Sequence, residues 1–380
     1  YTIDIDIGGT FTDGFFTDGK VAHTTKVPTT GYDLPECVLG CLELGAEKWA
    51  IPLRRLLQNT DVFRLSTTLA TNTILQKSGS NIGLIVSKGY ENSLYSTETK
   101  ISPAVGLLVQ PEMVVGVNGE IAPDGSEQET LDEDQCIEAE RYLVQQGARL
   151  IGISLRDAWR NSVHEIQLRR LVQDRYPAHY LRSIPLQLGT EISSSIDDHA
   201  RTNTLAANAY LHRELARGLY RIEDHVRQAG YQRPLLIVHA SGGTARVAKT
   251  VAVQTLHSGP AVAVHGAWVL ANWMEMPNVV TADMGGTSCD VGYVTKESPV
   301  WNPMPTVEGL PLGLPMVEVD SIAAGGGSIA KINAAGEIEV GPESAGADPG
   351  PACYSRGGKN PTVTDAYLLL WLLSTRNARF

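Results

Sequence analysis

The sequence predicts an α/β protein folded as two lobes, and three observations carry that expectation. Apolar runs of strand length alternate with amphipathic helical stretches along most of the chain. An eight-residue phrase, Asp-x-Gly-Gly-Thr-x-x-Asp, occurs once in each half, as DIGGTFTD from residue 6 and as DMGGTSCD from residue 283. The length, 380 residues, is enough for two domains of ordinary size.

The elements follow in order. YTIDIDIGG reads as a buried strand ending in a glycine turn, and TDGFFTDGKVAHTTKV continues it as a hairpin reversed at Asp18-Gly19. DLPECVLGCLELGAEKWA is a helix with Asp33 as N-cap and Pro35 in its first turn. NIGLIVSKG is a strand. Thr130 and Glu133 have the spacing of a capping box that opens a helix closed by Gly147. RLIGISL is a strand and SVHEIQLRRLVQDRY a helix. From Glu191 to Gln228 the pattern is helical with few breakers, as for a helix that props two lobes. PLLIVHA, NVVTADM and MVEVDSIAAGGGS are strands ending in small or polar residues. The stretch from Gly341 to Gly358 is rich in Gly and Pro and is the loosest part. No low-complexity linker separates the halves, and a soft boundary near residue 190 gives lobes of 1–190 and 191–380.

Bulk properties narrow the function classes. The chain is 43% hydrophobic and 19% charged, as globular proteins are, and its 42 acidic and 31 basic residues give a net charge of −11. With no basic block, neither nucleic acid nor an anionic membrane is expected as a partner. The longest apolar run, Ala366 to Leu373, is too short to span a bilayer, and the N-terminus does not resemble a signal peptide. Five scattered cysteines form no framework. Cys37 and Cys41, one helical turn apart, read as core thiols, and a reducing cytoplasm is the expected setting. The chain starts at Tyr1 inside a strand-like run and stops at Phe380 after an apolar segment, which suggests part of a longer polypeptide.

The repeated phrase carries the chemistry. Paired glycines behind a strand let the backbone turn tightly and approach a phosphate, with N–H groups free to meet its oxygens. This predicts phosphate contacts at Gly8, Gly9, Thr10 and Thr12 in the first copy, and at Gly285, Gly286, Thr287 and Ser288 in the second. A carboxylate ending the strand would repel phosphate directly, so Asp6 and Asp283 are predicted to hold hydrated Mg²⁺. Asp13 and Asp290 close the two phrases and are the catalytic candidates: either could be the general base or a second metal contact, only one needs to do chemistry, and the sequence does not say which. A single copy could be an ordinary hairpin turn; two copies in one register, each behind a strand, argue for one triphosphate held between them.

The pair resembles the phosphate-1 and phosphate-2 motifs of the actin, sugar kinase and Hsp70 superfamily. That resemblance implies two ribonuclease-H-like lobes clamping ATP. More narrowly, STTLATNTILQKSG, RTNTLAANAYL, SGPAVAVHGA, AAGGGSIAKI and VGPESAGADPGPACYSRGGKNPTVTDA, together with the two phrases, resemble the hydantoinase A, 5-oxoprolinase and acetone carboxylase family. The motifs run from residue 6 to residue 366, so the likeness covers the whole chain. It implies that SGPAVAVHGA is a small-residue helix at the hinge, and that Gly325, Gly326, Gly327 and Ser328 contact adenosine or phosphate. Cys289 stands where the family usually has a hydroxyl, which argues against that position as a phosphate ligand.

Other motifs stay open or ordinary. Thr67, Thr68, Thr71 and Asn72 suit either a capped helix or a substrate site. His199, His239, His257 and His265 match no standard metal spacing and read as ordinary residues.

The family runs two ATP-dependent reactions, carboxylation of ketones and opening of cyclic amides, and phosphorylation of a carbonyl or enolate oxygen, or of bicarbonate, would serve them. Cyclic-amide members usually carry a Glu-Ile-Gly-Arg segment followed by Asp-Leu-Tyr. The corresponding stretch here, SLYSTETKISPAVGLLVQPEMVVGVNGEI, lacks it and looks closer to the ketone carboxylase branch. The resemblance therefore implies an ATP-activating carboxylase subunit using a ketone and bicarbonate beside a hydantoinase-B-like second subunit. Cyclic-amide hydrolysis is the alternative, and a non-catalytic actin-like nucleotide switch a third.

Overall fold

Alternation along the opening run sets the first strand. Ile3, Ile5 and Ile7 enter the core, while Asp4 and Asp6 lie on the opposite face of β1 (Thr2–Ile7). The computed structural model describes residues 1–97, 103–180, 183–296, 298–346 and 348–373. In it β2 (Phe11–Thr17) and β3 (Ala22–Pro28) follow β1 in antiparallel order. The expected reversal is present: Asp18 Oδ1 accepts from the N–H groups of Lys20 at 2.9 Å and Val21 at 2.8 Å. Helix α1 (Leu34–Lys48) buries Val38, Cys41 and Leu42 against this layer. Asp33 stands at its N-cap, but its carboxylate accepts from Arg221 at 3.1 Å rather than from the helix. β4 (Val62–Thr67) joins the other edge of β1 in parallel and leads into α2 (Leu69–Leu75).

A second, four-stranded parallel sheet is inserted next. Its members in chain order are β5 (Ile82–Ser87), β6 (Val114–Val117), β7 (Leu150–Ser154) and β8 (Leu186–Leu188), with α3 (Glu133–Gln145) and α4 (Val163–Arg175) as crossovers. The spatial order is β8-β7-β5-β6. β5 and β7 are buried at every position, as parallel strands covered on both faces must be. The capping box expected at Thr130 and Glu133 does not form. Asp132, adjacent to the helix, is the cap instead, its Oδ1 accepting from Gln135 N–H at 3.0 Å.

The long helix, α5 (Asp198–Ala229), begins later than expected. Gly189–Ile192 is a separate turn, the chain is extended at Ser193, and Asp197 caps Ala200 N–H at 2.8 Å. Its first half, Ala200 to Leu211, is buried all round between the sheets; its second half is amphipathic through Leu215, Leu219, Ile222 and Val226. β9 (Leu236–Val238) then pairs in parallel with β4, and β10 (Thr244–Arg246) closes a six-stranded sheet of order β10-β9-β4-β1-β2-β3. Residue 190 therefore does not divide the packing. Strands on both sides of it share one sheet and one hydrophobic core.

Packing changes after residue 257. Helix α6 (Ser258–Trp273) lies between the six-stranded sheet, at β4 and β9, and a second sheet formed by β11 (Val279–Met284), β12 (Cys289–Thr295) and β13 (Val319–Ile322). A smaller core of Ala261, Val264, Val294 and Val317 marks this lobe. The run MVEVDSIAAGGGS is not one strand. Met316–Val317 pairs with Trp301–Asn302, and the chain changes partner at Glu318 to enter β13. The hairpin β14 (Ser328–Ile332) and β15 (Ile338–Ser344) and helix α7 (Val363–Leu369) complete the described chain. The fold is thus α/β and actin-like, with a mixed six-stranded sheet on one side of α6 and an antiparallel sheet on the other.

Cys37, Cys41 and Cys136 are buried, and all five cysteines are free. Among the described residues no helix is long and apolar enough to cross a membrane.

One buried cation ties the start of α5 to the segment after β7 and to the turn before α5. Arg201, fully buried in α5, is ion-paired with Asp198 and donates to the carbonyls of Leu155 at 2.8 Å and Ser195 at 3.3 Å. Removing one partner of such a pair strands the other, so Arg201→Ala should cost about 3–5 kcal/mol in denaturant unfolding. A loss below roughly 1 kcal/mol would mean that solvent already screens the pair.

Candidate active site

The two phrases fold as the same hairpin. Asp6 faces Asp13 and Ile7 faces Thr12 in the first; Asp283 faces Asp290 and Met284 faces Cys289 in the second. In each turn the first glycine closes the loop, Gly8 N–H on Phe11 O at 3.0 Å and Gly285 N–H on Ser288 O at 2.9 Å. These two N–H groups are consumed. The next two in each turn, Gly9 and Thr10, Gly286 and Thr287, have no protein acceptor among the described residues. The turns also meet: a Cβ added to Gly286 would lie 2.5 Å from Thr10 Oγ1. Four backbone donors without an acceptor among the described residues therefore stand in two adjoining turns, a set of groups suited to an anion.

Sheet pairing lines up the carboxylates. Ser66 on β4, Asp6 on β1, Asp13 on β2 and Lys26 on β3 are cross-strand neighbours in one row. Ser66 donates to Asp6, and Lys26 pairs with both oxygens of Asp13 at 2.6 and 2.7 Å. Asp6 keeps an edge open to the cleft, yet the protein packed round its carboxylate removes much of its water. This burial raises its pKa above the ordinary 3.8, opposed by the Ser66 hydrogen bond and reinforced by the charges of Asp13 and Asp283. In the second row Asp290 accepts from Ser321 at 2.5 Å and Ser288 at 3.3 Å.

These carboxylates fit a divalent cation. Among the described residues no three His, Cys, Asp or Glu groups converge as a ready-made cage. Magnesium is commonly held by one or two carboxylates with water and phosphate oxygens completing its shell. Asp6 and Asp283, close enough to repel one another, are the pair that could serve.

Several expected contacts are placed elsewhere. Thr12 is fully buried, and its hydroxyl meets Thr29 Oγ1 at 3.0 Å, which itself donates to Gly8 O at 2.9 Å. It braces the first turn from below. The glycine run braces the second: Gly326 and Gly327 N–H groups bind Gly285 O at 2.9 Å and Gly286 O at 2.7 Å, and Ser328 Oγ accepts from Gly325 N–H at 3.0 Å. Those donors are used within the protein. Asp13 is neutralised by Lys26, leaving Asp290 as the freer of the two expected bases. Thr68 returns to the first turn, donating N–H to Ile7 O at 3.0 Å, and the C-terminal motif folds back so that Tyr354 meets Phe11 edge-on, 6.0 Å between centroids.

Three site neighbours are not among the predicted site residues: Lys26, Ser66, which opens the stretch STTLATNTILQKSG, and His257, read from the sequence as ordinary. His257 precedes α6 with a left-handed backbone, φ +52°. Gly259, two residues on, would place a Cβ 3.5 Å from Asp6 Oδ1, so the first turn of α6 abuts the cleft carboxylate.

Comparison with known proteins places the chain in a family. A hydantoinase/oxoprolinase N-terminal region model matches residues 2–176, and a hydantoinase/oxoprolinase model matches residues 201–377. The acetophenone carboxylase gamma subunit of Aromatoleum aromaticum is 35% identical over 97% of this chain and 53% of that protein. Caprolactamase subunit alpha of Pseudomonas jessenii is 33% identical over 98% of this chain and 55% of that protein. A nucleotide-free structure of acetone carboxylase, described as ATP-dependent, superposes with a TM-score of 0.84 at 26% identity, over 99% of this chain and 55% of that one. The chain thus spans about half the length of the relatives it matches. The stretch that departs from the cyclic-amide pattern lies partly, at 98–102, outside the described residues.

Proposed function

The chain belongs to the hydantoinase/oxoprolinase family, and on that premise we propose that it is an ATP-dependent activating subunit that phosphorylates the carbonyl oxygen of a small substrate. The observation that carries this reading is the close approach of Gly286 to Thr10, in two turns whose Gly9, Thr10, Gly286 and Thr287 N–H groups have no acceptor among the described residues. Gly9, Thr10, Gly286 and Thr287 would cradle the phosphates of ATP by backbone N–H. Asp6 and Asp283 would hold Mg²⁺, whose charge would neutralise the oxygens of the phosphoryl group in flight. The protein's own work is positioning and charge stabilisation.

Within this reading the preferred substrate is a ketone, activated for carboxylation with bicarbonate, as the name of the first relative suggests. A cyclic amide is the second reading, favoured by the likeness to caprolactamase at nearly the same identity. Both need a place to use the activated intermediate away from water, and both relatives are named as subunits. We infer a hydantoinase-B-like partner that completes the reaction.

The test is substrate-dependent ADP release by the natively purified protein with its co-purifying chains. Acetophenone or acetone with bicarbonate is expected to stimulate it; caprolactam, hydantoin or 5-oxoproline stimulating it instead would select the second reading. ADP release that ignores every one of these would leave neither standing. The isolated chain is expected to release ADP without forming product; full product formation by it alone would overturn the partner.

A further inference from the structure

A carbonyl oxygen cannot take a phosphoryl group and remain neutral carbon chemistry without losing a proton. A ketone loses one from its α-carbon as it becomes an enol phosphate, and a cyclic amide loses one from nitrogen as it becomes an imidoyl phosphate. The cleft must therefore contain a base that is unprotonated at working pH and basic enough to take that proton. Its carboxylates are otherwise engaged or weaker bases than an imidazole: Asp13 is tied to Lys26, Asp6 and Asp283 face the space where a cation fits, and Asp290, the freer of the two expected bases, accepts from Ser321 and Ser288.

We propose that His257 is the general base of this cleft, its imidazole taking the proton that the substrate surrenders as its carbonyl oxygen bonds to phosphorus; the assignment rests on the function proposed above. Three placements support it. His257 sits directly before α6, whose first turn reaches Asp6 through Gly259. Its backbone is held at φ +52°, a conformation that non-glycine residues hold at a cost and that recurs at functional sites. Its imidazole lies within electrostatic reach of Asp290, the second-hairpin residue paired across from Asp283, and of Glu308. Glu308 is itself at φ +52°, in the tight turn between Val307 and Leu310, two residues buried in the first lobe's core. A base flanked by two carboxylates is well placed, because the imidazolium formed by proton uptake is stabilised where it arises.

The balance is complete. For a ketone, the imidazole nitrogen takes the α-proton and the C–H electron pair becomes the C=C bond. The oxygen forms its bond to the γ-phosphorus, and the bond from that phosphorus to the β-phosphate oxygen breaks, releasing ADP. For a cyclic amide the N–H pair becomes C=N instead. The imidazolium later returns its proton to water. Burial is the larger influence on His257, lowering its pKa below the ordinary 6.5, with Glu308 and Asp290 acting against it. It is therefore neutral at pH 7.

The experiment uses the native complex. His257→Asn removes the base and keeps a residue that tolerates positive φ. Substrate-dependent ADP release should fall roughly a hundredfold or more, while calorimetric affinity for ADP with Mg²⁺ is unchanged. The wild-type kcat should decline as pH falls through an acid limb below 6.5, and the residual rate of His257→Asn should lack that limb. His257→Gly should regain turnover on adding imidazole. Turnover by His257→Asn within about threefold of wild type, with the limb intact, overturns the assignment alone. Loss of nucleotide affinity together with turnover overturns it too, making His257 a structural cap. A wild-type complex that binds no nucleotide overturns the functional reading and this inference with it.

Discussion

Asp6→Asn should cut Mg²⁺-dependent ATP turnover by roughly two to three orders of magnitude and yet leave the folded chain slightly more stable at neutral pH when no nucleotide or metal is present. Both effects come from one environment. The Asp6 carboxylate is partly stripped of water and faces the charges of Asp13 and Asp283, so its ionised form is disfavoured in the folded chain. A raised folded-state pKa means that the folded chain binds the proton more tightly than the unfolded one. Stability is then greatest at low pH and declines as pH rises through the unfolded and then the folded value. Asparagine keeps the size and can still hydrogen-bond Ser66, but removes the charge. The site thus tolerates a destabilising carboxylate because a divalent cation needs it. Asp283→Ala should abolish turnover to a similar degree, and the double variant should lose little more, since two ligands of one ion act as a unit. Turnover unchanged in both single variants would place the metal elsewhere. A lower unfolding midpoint for Asp6→Asn at pH 7 would refute the electrostatic account while leaving the metal role intact.

The hairpin repeat was legible because it is local: a strand, two glycines, a threonine, and an aspartate seven residues after the first. Period-2 alternation also places Asp6 and Asp13 on one face, and the structure pairs them directly. The same alternation could have excluded Thr12. With Gly14 and Phe16 it belongs to the inward set of β2, so its hydroxyl turns toward Thr29 and away from the cleft. The rest of the site depends on pairing between distant segments. Ser66 reaches Asp6 only because β4 aligns in parallel with β1 across sixty residues, and no spacing in the sequence encodes that register. Lys26 reaches Asp13 through the register of β2 with β3. Local signals also misplaced two helix starts for one reason. A carboxylate beside the first turn, Asp132 or Asp197, outcompetes a plausible start a few residues upstream. The boundary near 190 falls between the two family models, yet the packing does not divide there: the long helix looks like a connector, but β9 returns after it to the first sheet.

Gly325→Ala should weaken binding of ADP with Mg²⁺ about a hundredfold, although residue 325 touches no nucleotide in this account. A Cβ on Gly325 would lie 2.5 Å from Thr287 N, and 2.6 Å from Gly286 C and Thr287 C. All three are backbone atoms of the second turn, so no side chain can swing aside. Nor can the glycine run retreat freely. Gly326 and Gly327 are bonded to the carbonyls of Gly285 and Gly286, and Thr364 donates both N–H and hydroxyl to Gly326 O at 2.8 and 2.7 Å. The added methyl must therefore push the second turn toward the cleft. That displaces the Gly286 and Thr287 N–H groups relative to Thr10, with overpacking of about 1–3 kcal/mol to relieve. A shift near 1 Å in a positioning element is enough to cost two orders of magnitude. Gly266→Ala is the matched control. It lies in α6 of the same lobe with no atom within 4 Å of a new Cβ, so it should stabilise the helix by up to about 1 kcal/mol and leave nucleotide affinity unchanged. If Gly325→Ala binds ADP as wild type does, the glycine run is not the brace of the second turn, and its hydrogen bonds to Gly285 and Gly286 have no bearing on nucleotide binding.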